Sequence, residues 1–279
     1  MLGKLIKYEF KASARLFLLL YAALILMSVI NMALEPLRDM QHTADPAMGV
    51  MLSIVVSLFM FGYIVLVFAV ALITLVVIIM RFYKNLLGDE GYLMFTLPVN
   101  TDSQIISKFV VSIVWCILSI AAVFGSLFIL VVRTGFIDRI KETLDGLRDM
   151  GINIGAWSTG IAVALLIYMV CSIFMFYAAM AIGSNLTKNR LLGSFLGYMI
   201  LYAINQGVGL ISIIIPVRTG LFTQLEEFGN EAVPVERIAE FSNTVGFQLF
   251  LYVCIINLVM AVFYYFVTRY FIKNKLNLT

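Results

Sequence analysis

Charge is scarce in this chain. Only 13% of its 279 residues are Asp, Glu, Lys or Arg, about half the share of a soluble domain, while 62% are apolar. The charge is missing in blocks. Six runs hold no Asp, Glu, Lys, Arg or His: Leu16 to Leu34, Val50 to Met80, Phe109 to Val132, Ser158 to Ile182, Leu191 to Ile215 and Gly246 to Val267. The one histidine, His42, lies outside them and reads as a solvated surface residue. This absence excludes an intramembrane protease, which needs Ser/His, paired Asp or Glu/His groups inside its spans. It also counts against an ion-coupled carrier, which keeps ionisable groups at mid-membrane, although sodium can be held by neutral oxygens. No phosphate-binding G-x-x-x-x-G-K-[ST], H-E-x-x-H or C-x-x-C occurs, and Gly3-Lys4 lacks both the upstream glycine and the following hydroxyl. The chain is therefore expected to be no enzyme and to hold no metal or cofactor. Its three cysteines, Cys116, Cys171 and Cys254, all fall inside the runs; they show no metal spacing and read as small packing residues.

What is there is length. A helix of about 20 apolar residues crosses the ~30 Å hydrocarbon core, and a chain in lipid must satisfy its own backbone hydrogen bonds. The six runs predict an all-α, polytopic membrane protein with six transmembrane helices in one domain, 1–279. The first run is longer than a signal-peptide core and leads through Asn31, Met32 and Ala33 into Glu35-Pro36 with no small-x-small site, so it reads as a retained helix. The second run exceeds what a ~30 Å core needs at ~1.5 Å per residue, and is expected to tilt or project.

Six spans put both ends on one side. Twelve of the nineteen Lys and Arg fall there, with only four acids: Glu9, Asp89, Glu90 and Asp102. The opposite side has seven basic residues and the other twelve acids. The positive-inside rule places both termini in the cytoplasm, in the cell membrane. The same asymmetry accounts for the net charge of +3, which does not point to nucleic acid. The N-x-T sequons at Asn185 and Asn277 then fall on the inner side and read as chance matches.

Residues 1–15 read as an amphipathic helix. Lys4, Lys7, Lys11 and Arg15 recur every three or four residues and form a basic face, while Leu2, Leu5, Ile6 and Phe10 lie away from it. Such a helix is expected in the inner interface, its cations near anionic lipid headgroups. The inner loop 81–108 is the most informative segment. Gly88 suits a helix C-cap, Asp89 an N-cap with Glu90 in the first turn, Pro98 a stop, and Thr101 with Gln104 a capping box for the third span. A short helix from Asp89 to about Leu97 follows, and Tyr92, Leu93, Met94, Phe95 and Leu97 give it more apolar surface than a solvated loop needs. In the outer loops, 133–157 and 216–245, Phe136 to Met150, Leu221 to Phe228 and Val235 to Phe241 read as further short helices.

Polar groups within the spans are few. Asn205 and Gln206 sit mid-way along the fifth span and Asn257 near the middle of the sixth. They serve either as interhelical hydrogen bonds, each contributing ~0.6–2 kcal/mol, or as the wall of a transport pathway. Together with Tyr198, Met199, Tyr202 and Tyr252 they would suit an amphipathic or apolar cargo. Gly193 and Gly197 form a small-x-x-x-small pair for close helix approach, within one chain or between two.

The stretch from Arg81 to Val99, with Ile106-Ser-Lys108, resembles permease subunits of ABC-2-type transporters of Gram-positive bacteria, and the likeness extends to the basic N-terminal helix, the six spans and the structured outer segment before the last span. The resemblance implies a coupling helix in the first inner loop, here Asp89, Glu90, Gly91, Tyr92, Leu93, Phe95, Leu97 and Pro98, that docks on a separate ATPase subunit. It implies ATP and Mg on that partner, and a second copy or a related permease completing the membrane core. The expected function is that of a permease subunit of an ATP-driven exporter moving a peptide, drug or lipid-like cargo. Its rivals are an ion-coupled carrier or channel, and a non-transporting immunity or sensory protein.

Overall fold

The computed structural model describes residues 2–40, 46–87, 100–132, 134–186, 190–218 and 235–274, and among these it is almost wholly helical, with no strand. The helices are α1 (Leu2–Ala33), α2 (Glu35–Met40), α3 (Pro46–Phe82, continued by a π-helical turn Tyr83–Leu87), α4 (Thr101–Val131), α5 (Phe136–Asp149), α6 (Ile154–Leu186), α7 (Arg190–Arg218), α8 (Val235–Phe241, followed by a π-helical turn Ser242–Gly246) and α9 (Phe247–Asn274). Six of them, α1, α3, α4, α6, α7 and α9, are long and apolar enough to cross a membrane, each matching one uncharged run. The 37 residues of α3 reach about 55 Å at 1.5 Å per residue, well past a hydrocarbon core, as expected from sequence.

The chain forms two compact units, residues 1–81 with 106–140, and 82–105 with 141–279. In the first, α1, α3 and α4 pack around two clusters. Phe17, Val111 and Trp115 form one, with Phe10 and Val77 against it; Leu24, Tyr63 and Val70 form the other, with Ala122 and Val123 against it. In the second, α6 is central and carries both α7 and α9.

Two local readings change. Residues 2–15 are not a separate interfacial helix: α1 runs unbroken from Leu2 to Ala33. No Gly, Pro or cap residue interrupts the join, so nothing stops the apolar run from extending the helix. The cap of α4 is Asn100 rather than Thr101, because the Asn100 carbonyl accepts the first bonds, from Ser103 N at 2.9 Å and Gln104 N at 3.3 Å. The helices α5, which belongs to the second unit from Lys141 on, and α8 form as expected. Gly151, at φ +84°, ends α5: its N–H bonds Arg148 O and the next N–H, of Ile152, bonds Leu147 O, a paired closure that favours glycine. Asn153 then starts α6, its Oδ1 accepting from Ala156 N at 3.1 Å, while Asn243 clasps the turn through Asn153 N and Gly151 O. The expected helix Leu221 to Phe228 lies outside the described residues.

Candidate functional site

The strongest concentration of buried charge lies where α1, the end of α3 and the start of α4 meet. Glu9 is only 7% exposed and Lys108 only 4%. Lys108 Nζ donates to Glu9 Oε1 at 2.6 Å, and Arg81 Nη1 donates to Glu9 Oε2 at 2.8 Å and to the Glu9 carbonyl at 3.2 Å. The site arises because Glu9 sits on the side of α1 turned away from Lys4, Lys7, Lys11 and Arg15, which are all exposed. Arg81 lies in the last turn of α3 and Lys108 near the start of α4, so one carboxylate ties both of these helices to α1.

Above this cluster the packing is aromatic and hydroxylic. Trp115 stacks on Phe10 and Phe17, with centroids 4.6 and 4.2 Å away, and donates from Nε1 to Ser13 Oγ at 2.8 Å. Tyr21, Ser119 and Thr74 join α1, α4 and α3 through contacts of 2.7 and 2.8 Å, and Tyr63 joins Ser126 at 2.9 Å. The two hydroxyl groupings are separated by about 10 Å of α4, from Ser119 to Ser126, and Leu24, Val70, Ala122 and Val123 fill the interval. These groups bind helix to helix.

The second unit has its own ion pair at the start of α4. Asp102 accepts from Arg269 Nε at 2.7 Å and Nη2 at 2.9 Å, and from Tyr265 Oη at 3.2 Å. Phe82 stacks on Tyr177 of α6, centroids 3.9 Å apart. An apolar cavity of about 430 Å³ lies between α6 and α9, lined by Thr159, Gly160, Val163, Phe250, Cys254 and Leu258 among others.

The coupling residues expected from sequence, Asp89, Glu90, Gly91, Tyr92, Leu93, Phe95, Leu97 and Pro98, lie outside the described residues. The three polar residues expected to line one pathway each bond a group other than one another. Tyr264 Oη bonds Asn205 Oδ1 at 3.4 Å, linking α9 to α7; Gln206 bonds Tyr202 Oη on its own helix at 2.7 Å; and Asn257 bonds Val253 O on its own helix at 2.9 Å. Gly193 and Gly197 are used within the chain. A Cβ on Gly197 would stand 2.5 Å from Ala179 O, and one on Gly183 would collide with the Gly193–Ser194 backbone, so α6 and α7 approach backbone to backbone there. Glu9 has no role in the sequence reading. Its signal is being the sole acid before Glu35, in the middle of an otherwise apolar helix face.

Six helices long and apolar enough to cross a membrane make this a multi-pass membrane protein by length and composition. No family model, no curated protein and no solved structure matches the chain.

Proposed function

We propose that the chain is the transmembrane permease subunit of an ATP-driven ABC exporter, with both termini in the cytoplasm of the producing cell and ATP hydrolysis on a separate subunit. The observation that carries the reading is that the two helices on either side of the inner loop, α3 and α4, are both tied to α1 through Glu9. The stretch that carries Tyr92 and Phe95 is bracketed in sequence by Arg81 and Lys108, and both cations hold Glu9. A loop that only linked two spans would not need its ends tied to a third helix by a desolvated carboxylate, which costs free energy unless fully paired. A loop that receives force from a partner does need firm ends, since force on it then moves α1, α3 and α4 together. The resemblance of this same stretch to ABC-2-type permeases supplies the partner class: an ATPase carrying ATP and Mg, with a second membrane subunit completing the core.

The cargo expected for such a core is amphipathic or apolar. The six uncharged runs carry no ionised side chain to hold a small ion, while Tyr, Met and Phe are frequent in them. Affinity isolation from native membranes tests the reading. An ABC ATPase should co-purify, and the isolated chain alone should hydrolyse no ATP. Recovery of the chain without an ATPase would favour the carrier, channel or immunity readings instead.

A further inference from the structure

The first unit holds a cavity of about 170 Å³ among α1, α2, α3 and α4. It lies at the end of α1 remote from Glu9, since α1 ends at Ala33, about 36 Å further along the helix. Met60, Leu127 and Leu130 supply apolar wall, and Asn31, Glu35, Tyr63 and Thr134 supply the polar side-chain atoms. Every side-chain hydrogen on those polar groups is already engaged. Asn31, only 5% exposed, donates both Nδ2 hydrogens, to Met27 O at 2.9 Å and to Phe59 O at 3.2 Å. Two carbonyl partners fix the orientation of that amide. Thr134 Oγ1 donates to Val131 O at 2.9 Å. Ser126 Oγ donates to Val123 O at 2.8 Å, so the Tyr63 hydroxyl donates to Ser126 Oγ at 2.9 Å. Only acceptors remain. Asn31 Oδ1, on a buried residue, has no partner among the described residues, and the half-buried Glu35 carboxylate has neither a hydrogen bond nor an ion pair among them. A buried acceptor left unpaired costs free energy, and a ligand that donates removes that cost.

We infer that this cavity binds a primary alkylammonium group, its N–H donors shared between the Glu35 carboxylate and Asn31 Oδ1 and its hydrocarbon part against Met60, Leu127 and Leu130. The ligand must donate, because the polar side chains of the wall only accept. It must be a cation, because Glu35 is the one charged side chain described there. A divalent metal ion is a poor match. Such ions take about six or more oxygens, and this wall sets a single carboxylate among Met and Leu side chains. At ~30 Å³ per water-sized group the cavity has room for about five or six non-hydrogen atoms, an ammonium group with a short alkyl chain. A free amine and the headgroup of an aminophospholipid both present this chemistry. The inference stands on this cavity alone and owes nothing to the exporter reading.

Ligand-observed NMR titration of the full chain in phosphatidylcholine nanodiscs tests it with three probes of similar size. n-Butylammonium should bind saturably. n-Butanol lacks the charge and tetramethylammonium lacks N–H donors, so each should bind about tenfold more weakly or worse, the scale of one hydrogen bond to a charged group. Glu35→Gln should weaken butylammonium about tenfold and Glu35→Asp less, while Glu142→Gln, at an exposed carboxylate of α5, should leave binding unchanged. Adding phosphatidylethanolamine to the nanodiscs separates the two sources. A Glu35-dependent fall in apparent butylammonium affinity assigns the site to a lipid headgroup, and unchanged affinity assigns it to a free amine; both support the inference. Equal binding of butanol or tetramethylammonium would overturn it. So would full butylammonium binding to a Glu35→Gln chain that elutes as the parent does, or no butylammonium binding at all, the outcome if Arg38 or Arg133 serves as the cation for Glu35 instead.

Discussion

At the scale of single residues, Glu9 is the most consequential side chain. Replacing it by Gln keeps the shape but removes the charge that both Lys108 and Arg81 bond, which is expected to cost about 3–5 kcal/mol, with Glu9→Asp costing less. Denaturant titration in detergent reads this directly, and equal stability of Glu9→Gln and the parent would contradict the clamp. Glu9 was not legible from sequence because its partners stand 72 and 99 positions along the chain. No local pattern encodes such a meeting; only the lone acid on an apolar face hints at it.

At the scale of elements, sequence and structure agree best where lipid dictates the answer. An uncharged run long enough to cross the hydrocarbon core has no other low-energy form, so all six spans were legible, as were α5 and α8 from their apolar spacing. Ends and partners were less so. The continuity of α1 was missed because the basic row alone reads as an interfacial helix. The small-x-x-x-small pair announced a close approach but not with which helix; the structure assigns it to α6. The prediction at this scale uses that contact. Gly197→Ala places a methyl group against Ala179 O, which cannot give way as a flexible side chain would, and is expected to destabilise by about 1–3 kcal/mol. Gly207→Ala, in open space on the same helix, is expected to be neutral or to stabilise by up to about 1 kcal/mol. Parallel thermal melts of the two variants separate these outcomes, and a shared loss would show that α7 simply resists substitution.

At the scale of the whole molecule, the charge asymmetry predicts that both ends of the chain share the inner side. In a background without native cysteines, an external thiol reagent should label a cysteine replacing Gly151 and not one replacing Thr279. Labelling of both from outside would refute this topology. The central claim is that the chain is driven through its 81–108 loop by an ATPase it does not itself contain. The most direct measurement is ATP hydrolysis by the co-purified complex in proteoliposomes, comparing the parent with Tyr92→Ala/Phe95→Ala. The account predicts that the double variant inserts normally yet loses the ATPase partner or its coupled hydrolysis. Undiminished association and hydrolysis in the double variant, or ATP hydrolysis by the purified chain alone, would contradict it.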